Sequence, residues 1–158
     1  MPYKNKKVDA REKRARGKRL WAAMPKWKRV EYLVAYNLRR KGVKVRRVGR
    51  IRSPFDLLTK SGLRIEVKAA EYKPRRRVWT VSIQRYGKMA EQFVDYYVFM
   101  LSMSRVFGFR HKRLYVVVPS PVKQRQVVFT LSRLLTRWKD NVDSWSQIVE
   151  AEKGRRTK

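Results

Sequence analysis

The feature that most constrains the fold is a pair of short segments between residues 53 and 69, joined by a turn. The first segment covers residues 53–58 and the second covers residues 63–69. Each segment alternates apolar with polar residues or runs apolar, which favours half-buried strands. The Lys-Ser-Gly sequence at 60–62 favours a tight turn between them. The two segments therefore predict a β-hairpin.

This hairpin is expected to bring three charged side chains together. Glu66 and Lys68 are two residues apart, so they share one face of the second strand, while Ile65 and Val67 take the other face. Asp56 lies on the neighbouring strand, across the turn. A Glu-x-Lys sequence alone usually means a solvated ion pair, but a second carboxylate beside it indicates a candidate site.

A third acid is predicted to join this cluster from a helix over residues 27–41. Apolar residues recur there at intervals of three and four, and Gly42 follows at the position where helices commonly end. Glu31 falls on or beside this apolar stripe. Because carboxylates are rarely buried unless they are paired or bound to a metal, Glu31 is a candidate site residue.

The rest of the chain predicts an α/β fold. Strands are expected at 43–48, 78–83, 96–101 and 114–118, helices at 84–93, 127–138 and 141–152, and a basic loop at 71–77. This order indicates a central mixed β-sheet flanked by helices. Residues 1–19 are expected to form a basic arm, flexible or marginally helical, residues 20–152 a single domain, and residues 153–158 a basic tail.

Charge points to the class of partner. The chain of 158 residues carries 42 Lys and Arg against 12 Asp and Glu, a net charge of +30. Such an excess favours a nucleic acid, since contacts to phosphate release condensed counterions. A membrane surface is the competing explanation, but the basic residues are spread along the chain rather than gathered on one amphipathic helix.

Other residue types exclude several chemistries. The chain has no Cys and one His, which excludes disulfides, thiol catalysis, thiolate metal sites and a multi-histidine site within one chain. The N-terminus lacks an apolar signal region, and the longest apolar runs are too short to span a bilayer. We therefore expect a soluble, intracellular, cytoplasmic protein with no membrane partner.

The pattern formed by Glu31, Pro54-Phe55-Asp56 and Glu66-Val67-Lys68 resembles the PD-(D/E)xK nuclease superfamily, most closely the archaeal and viral Holliday junction resolvases. The resemblance covers about residues 27–118 and implies a restriction-endonuclease-like core in the order αβββαβ. One departure is that Phe55 separates the proline from the aspartate.

The resemblance also implies a set of catalytic roles. Asp56 and Glu66 would be the inner ligands of Mg²⁺, for which Mn²⁺ could substitute, and Glu31 would hold metal-bound water or a second ion. Lys68 would orient or help to deprotonate the attacking water and stabilise developing charge. Gln84 would touch water or phosphate.

The expected activity is structure-selective, metal-dependent DNA cleavage by a homodimer, with branched or junction DNA as substrate. A non-catalytic basic protein that packages or protects nucleic acid remains the alternative. Contacts to DNA are expected from the region before the hairpin, the 71–77 loop and the start of the following helix: Arg52, Ser53, Lys73, Arg75, Arg76, Arg77 and Arg85.

Overall fold

The architecture comes from a computed structural model, which describes residues 6–48, 53–83, 93–103, 113–122 and 125–156. The helices are α1 (Lys6–Ala23), α2 (Lys26–Arg40), α3 (Leu131–Leu135) and α4 (Ser146–Arg156), with single 3₁₀ turns at Pro74–Arg76 and Lys139–Asn141. The strands are β1 (Val45–Arg47), β2 (Leu57–Thr59), β3 (Arg64–Lys73), β4 (Val78–Ser82), β5 (Tyr96–Ser102), β6 (Arg113–Pro119) and β7 (Gln126–Phe129).

The long strand β3 organises the sheet. Its first half pairs antiparallel with β2, at Leu57 opposite Ile65, and parallel with β5 over residues 65–70. Its last three residues pair antiparallel with β4. β1, β6 and β7 add to β2, β5 and β4, so the described residues form a mixed sheet of seven strands. The predicted α/β fold with a mixed sheet flanked by helices is confirmed, and so is the hairpin, whose turn places Gly62 at φ +88°.

Two cores lie on the two faces of this sheet. The first forms where the apolar stripe of α2 and residues of α4 pack on Ile65 and Val67. Val34 and Leu38 of α2 are fully buried there, as the helical periodicity predicts. The second core contains Trp79, Phe99 and Phe129 on the opposite face. Trp27 departs from the predicted stripe, since 58% of it is exposed.

Two predicted elements are corrected by the structure. The helix expected over 127–138 begins as strand β7, because Val127 and Phe129 alternate into the core while β7 pairs with β4. The hydroxyl of Thr130 then accepts a hydrogen bond from the Arg133 backbone N–H and caps the short helix α3.

The loop expected over 71–77 is largely a hairpin. Its first three residues continue β3 and pair with β4, which satisfies backbone groups that a loop would leave to solvent. The connection is the single turn Pro74–Arg76, followed by Arg77 in the left-handed region at φ 53°. The helix predicted over 84–93 lies, except for its last residue, outside the described residues.

At the N-terminal end, α1 continues through the boundary expected at residues 19 and 20. The division into arm, domain and tail stays a prediction. In the part of the chain that the structure describes, no helix combines the length and the apolar character needed to cross a bilayer.

Candidate active site

The site forms where β2 begins alongside β3. Asp56 immediately precedes β2, and its backbone N–H donates to the Ile65 carbonyl at 3.0 Å. Its carboxylate accepts a hydrogen bond from the Val67 N–H at 2.8 Å. Asp56 therefore continues the pairing of β2 with β3 through its side chain, and this contact fixes where the carboxylate points.

Glu66 and Lys68 project from β3 beside this carboxylate. The Lys68 ammonium forms a salt bridge with Glu66 Oε1. The Glu66 carboxyl group lies beside that of Asp56 and, when protonated, donates a hydrogen bond to it. Only 13% of the Glu66 side chain and 29% of the Lys68 side chain are exposed. The structure thus brings together three of the predicted catalytic residues, with both carboxylates mostly removed from water.

Glu31 is buried on α2, as predicted, but its direct partner is Arg47. Arg47 donates to Glu31 Oε2 from Nε at 2.9 Å and from Nη2 at 2.5 Å. The guanidinium also lies 4.1 Å from the centre of the Tyr32 ring, within cation–π distance.

Sequence reasoning missed Arg47 because the residue falls in a strand whose basic positions suggest a wet face. The register of β1 places Arg47 opposite Leu57, the residue that follows Asp56 in the chain. A local pattern carries no signal for this placement, since it depends on which strand pairs with β1 and on where α2 packs.

Burial changes the protonation of these groups. Burial, followed by repulsion from Asp56, raises the pKa of Glu66 to about 7. Burial also raises the pKa of Asp56, although the Val67 N–H and the charge of Lys68 oppose that shift. The pKa of Glu31 is raised by burial despite its bond to Arg47.

The lysine is shifted towards its charged form. Burial alone lowers the pKa of Lys68, but attraction to Glu66, its hydrogen bond with Glu66 and attraction to Asp56 outweigh burial, so the net shift is upward. Lys68 therefore stays an ammonium group at neutral pH and acts as a donor and a positive charge.

The carboxyl groups of Asp56 and Glu66 are together suited to bind a hard cation. Among the described residues, no group of three or more His, Cys, Asp or Glu side chains is placed to hold a metal ion. Glu31 interacts with the charge of Asp56 but is bound to Arg47. Mg²⁺ is often bound by only one or two carboxylates, with water and substrate phosphate completing its ligands. The adjacent oxygen donors of Asp56 and Glu66 fit that requirement.

The predicted DNA-contacting residues of the β3–β4 hairpin lie together. Lys73, Arg75 and Arg76 line an open pocket of about 530 Å³ with Thr80 and with Gln126 of β7. Arg77 follows at the turn. Ser53 accepts a hydrogen bond from the Phe55 N–H at 3.4 Å. Three predicted site residues lie outside the described residues: Arg52, Gln84 and Arg85.

Comparison with known proteins shows a likeness of fold. No protein-family model matches the chain, and no curated protein matches it in sequence. Among solved structures, the chain is similar to a bacterial homing endonuclease, I-Ssp6803I, with a TM-score of 0.65 and 15% sequence identity. The match covers 83% of this chain and 95% of that one. At this level of identity, the likeness shows a shared fold.

Proposed function

We propose that the protein is a DNA endonuclease that hydrolyses phosphodiester bonds with the help of a divalent metal ion. The observation that carries this proposal is the convergence of Asp56, Glu66 and Lys68 at one point of β3. The chain has 12 acidic residues against 42 basic ones, so two adjacent, largely buried carboxylates are an unusual use of scarce acids. Placing like charges together away from water opposes folding, and a bound cation would relieve that repulsion.

Two independent likenesses support the same activity. The solved structure that shares this fold is that of a homing endonuclease. Separately, Glu31, Asp56, Glu66 and Lys68 match the residue pattern of the PD-(D/E)xK nucleases. The fold likeness does not depend on that pattern, so the two arguments reinforce each other.

Asp56 and Glu66 would hold the metal ion, which is Mg²⁺ or, as a substitute, Mn²⁺. When bound, such an ion neutralises charge on the phosphate and makes a water molecule more acidic. The Val67 N–H orients the Asp56 carboxylate before substrate arrives. The Lys68 ammonium, held beside Glu66, would donate to the attacking water or to a phosphate oxygen as negative charge develops there. Glu31, oriented by Arg47, would position water at the edge of the site.

The substrate class has two candidates. The resemblance to junction resolvases favours branched DNA cut by a homodimer, because paired cuts suit a two-fold enzyme. The likeness to a homing endonuclease favours a particular site in linear DNA. In either case the cations of the β3–β4 hairpin would contact backbone phosphates. A purely binding role in packaging would explain the net charge but not the carboxylate pair.

A cleavage panel tests the proposal. The protein is incubated with a mobile four-way junction, a linear duplex library, a flap and RNA, with Mg²⁺, Mn²⁺ or EDTA. We expect DNA to be cut with either metal and to remain intact in EDTA. Paired cuts at the junction would identify a resolvase, whereas cuts at one sequence of the library would identify a site-specific enzyme. Absence of cleavage on every substrate, with tight DNA binding, would instead identify a packaging protein. Sedimentation that finds only monomer at micromolar concentration would contradict the dimer.

A further inference from the structure

A second cationic pocket lies beside α2, apart from the candidate active site. It has a volume of about 220 Å³ and lies between the end of α1, the first turns of α2 and the paired ends of β5 and β6. Its cations are Lys26, Arg29 and Arg113, and its walls include Trp21, Val30 and Leu33. We call it the α2 pocket.

The charges that line the α2 pocket have one sign. Its described lining includes three cations and no carboxylate. Glu71 interacts electrostatically with Lys26, but it is exposed and is paired with Lys73 at 2.8 Å. Cations brought together without an acid between them repel one another, and this arrangement is relieved by a bound anion.

One donor in this pocket is buried and unsatisfied. The Nε atom of Arg29 is inaccessible to solvent and has no hydrogen-bond partner among the residues that the structure describes. Buried polar groups without a partner are rare in native proteins, and this Nε gains a partner in the pocket if the Arg29 guanidinium turns towards a bound anion. The planar fork of an arginine matches the oxygens of a phosphate group.

The amino end of α2 adds to the positive charge of the α2 pocket. The N-cap residue is Pro25, no side chain caps the helix, and its first turn carries no acid. The first turn instead contains Lys26, Trp27 and Lys28. The amino end of a helix carries partial positive charge and unpaired N–H groups, so basic residues are unfavourable there unless an anion is nearby.

We propose that the α2 pocket binds one phosphate group of the DNA backbone, separate from the phosphate at the carboxylate pair. This inference rests on the proposed function, because it takes DNA as the ligand. The pocket has space for a phosphate and several waters, at about 30 Å³ for each water. Arg29 and Glu31 are two residues apart on α2, which directs them roughly 200° apart around a helix about 10–12 Å thick. A phosphate in the pocket therefore belongs to a different nucleotide, and it anchors the DNA from the other flank of α2.

Side-chain NMR of Arg29 tests this site directly. The Nε–H resonance of Arg29 is assigned by its loss in Arg29→Lys and is followed in the Asp56→Asn protein, which is expected not to cut. Inorganic phosphate and then duplex or junction DNA are added. We expect a saturable shift with both, and a midpoint at roughly a hundredfold higher phosphate in the double variant Lys26→Gln/Arg113→Gln, since each of the two lost charge-assisted hydrogen bonds is worth about tenfold. A shift with phosphate but none with bound DNA would identify an adventitious ion only and overturn the proposal.

Binding measurements separate this inference from the proposed function. We expect Arg29→Lys to weaken DNA binding roughly tenfold although the charge is kept, because a lysine lacks the guanidinium fork. Arg29→Gln should lower the slope of log affinity against log salt by about 1. Lys153→Gln, an exposed position on α4, is the matched control and should change affinity less than about twofold.

The two proposals fail in different ways. Suppose that the wild-type protein binds and cuts DNA, that the Arg29 variants bind DNA like wild type, and that the Arg29 Nε–H resonance does not shift when DNA is added. The α2 pocket is then not a DNA site, while the proposed function stands. If the wild-type protein does not bind DNA at all, the proposed function fails and this inference fails with it. The NMR titration decides the question even if Arg29→Gln does not fold, because the assignment needs only Arg29→Lys.

Discussion

Two aspartates occupy comparable positions on the two sides of β3, yet their surroundings differ. Asp56 precedes β2 and Asp95 precedes β5; each donates its backbone N–H to a carbonyl of β3. Each also accepts a hydrogen bond from a backbone N–H of β3, Val67 for Asp56 and Arg64 for Asp95. The backbone design is therefore shared, and the side-chain partners distinguish the two positions.

Asp95 is satisfied by cations. It accepts hydrogen bonds from Arg64 Nε at 3.1 Å and from Arg155 at 2.8 Å. Burial raises the pKa of Asp95, but the hydrogen bonds from Arg64 and Arg155 outweigh burial and leave it below its usual value. These bonds connect β3 and β5 to α4, which is a structural role.

Asp56 has an acid as its neighbour instead. Glu66 lies against it, and the lysine of the cluster is bound by Glu66. The pKa of both carboxyl groups is raised, by burial first. A partly buried carboxylate that is held by two arginines therefore stabilises the fold, whereas one that lies beside a second carboxylate is suited to bind a cation.

The largest expected effect separates the two aspartates by activity. Asp56→Asn or Glu66→Gln should lower the rate of DNA cleavage by at least about 10²–10³-fold, the scale on which loss of a transition-state-stabilising group acts. DNA binding should persist or tighten, because each change removes a negative charge that faces phosphate. Asp95→Asn is the control and should cut within a few-fold of wild type. Equal cleavage by all these variants would mean that the acid pair is an ordinary buried network.

Lys68 should be the next most sensitive position. Lys68→Ala is expected to lower cleavage about 10²-fold, because the ammonium acts on water or phosphate rather than on the ion. Metal binding, measured by calorimetry with Mn²⁺, should be retained. Lys153→Ala provides the control, since this lysine is exposed on α4. Loss of metal binding in Lys68→Ala would show that the lysine organises the carboxylates instead.

Glu31 should matter less than the carboxylate pair. Glu31→Gln keeps an acceptor for Arg47 and is expected to lower the cleavage rate about tenfold, as for a group that only positions water. Cleavage rates at saturating Mg²⁺ provide the measurement. A loss as large as that of Asp56→Asn would indicate that Glu31 is itself a metal ligand.

The sequence predicts the carboxylate cluster well because period-2 alternation fixes which side chains of β3 share a face. Glu66 and Lys68 follow from that period. The helical period predicts that Glu31 is buried on α2, but Glu31 is bound to Arg47 rather than to the carboxylate pair. Arg47 cannot be found in this way, since its bond to Glu31 spans 16 residues and depends on packing of α2 against β1.

The elements that were mispredicted lie at the edge of the sheet. In β7, Val127 also fits a helical stripe continued by Leu131 and Leu134, whereas Phe129 fits only the alternation of a strand. Pairing with β4 decided the conformation, which is tertiary context overriding a local pattern.

The smallest effects are expected in stability. Asp95→Asn should lower the free energy of unfolding by about 1–2 kcal/mol at neutral pH, because charge-assisted hydrogen bonds to two arginines are lost. Since the folded pKa of Asp95 lies below its unfolded value of about 3.9, this stabilisation is full above that pH and is lost as pH falls through the folded pKa.

Asp56→Asn should leave stability level or raise it at pH 8, where the raised pKa values make ionisation of the pair unfavourable. This gain in the free energy of unfolding should vanish near pH 4, because the wild-type carboxyl groups are protonated below that pH. Denaturant unfolding at both pH values provides the measurement. A clear loss of stability in Asp56→Asn at pH 8 would contradict the repulsion between these groups.

The contrast between the two sides of β3 can be measured in a single experiment, a pH titration of the side-chain carboxyl carbons by NMR without and with Mg²⁺. Without metal, Glu66 should titrate near pH 7 and Asp95 below its ordinary value of about 3.9. Addition of Mg²⁺ should move the titration of Glu66 and Asp56 to lower pH, because a bound cation stabilises both carboxylates, and should leave Asp95 unchanged. If Glu66 titrates near the ordinary value of about 4.3 and Mg²⁺ moves none of these groups, the carboxylate pair does not form a metal site.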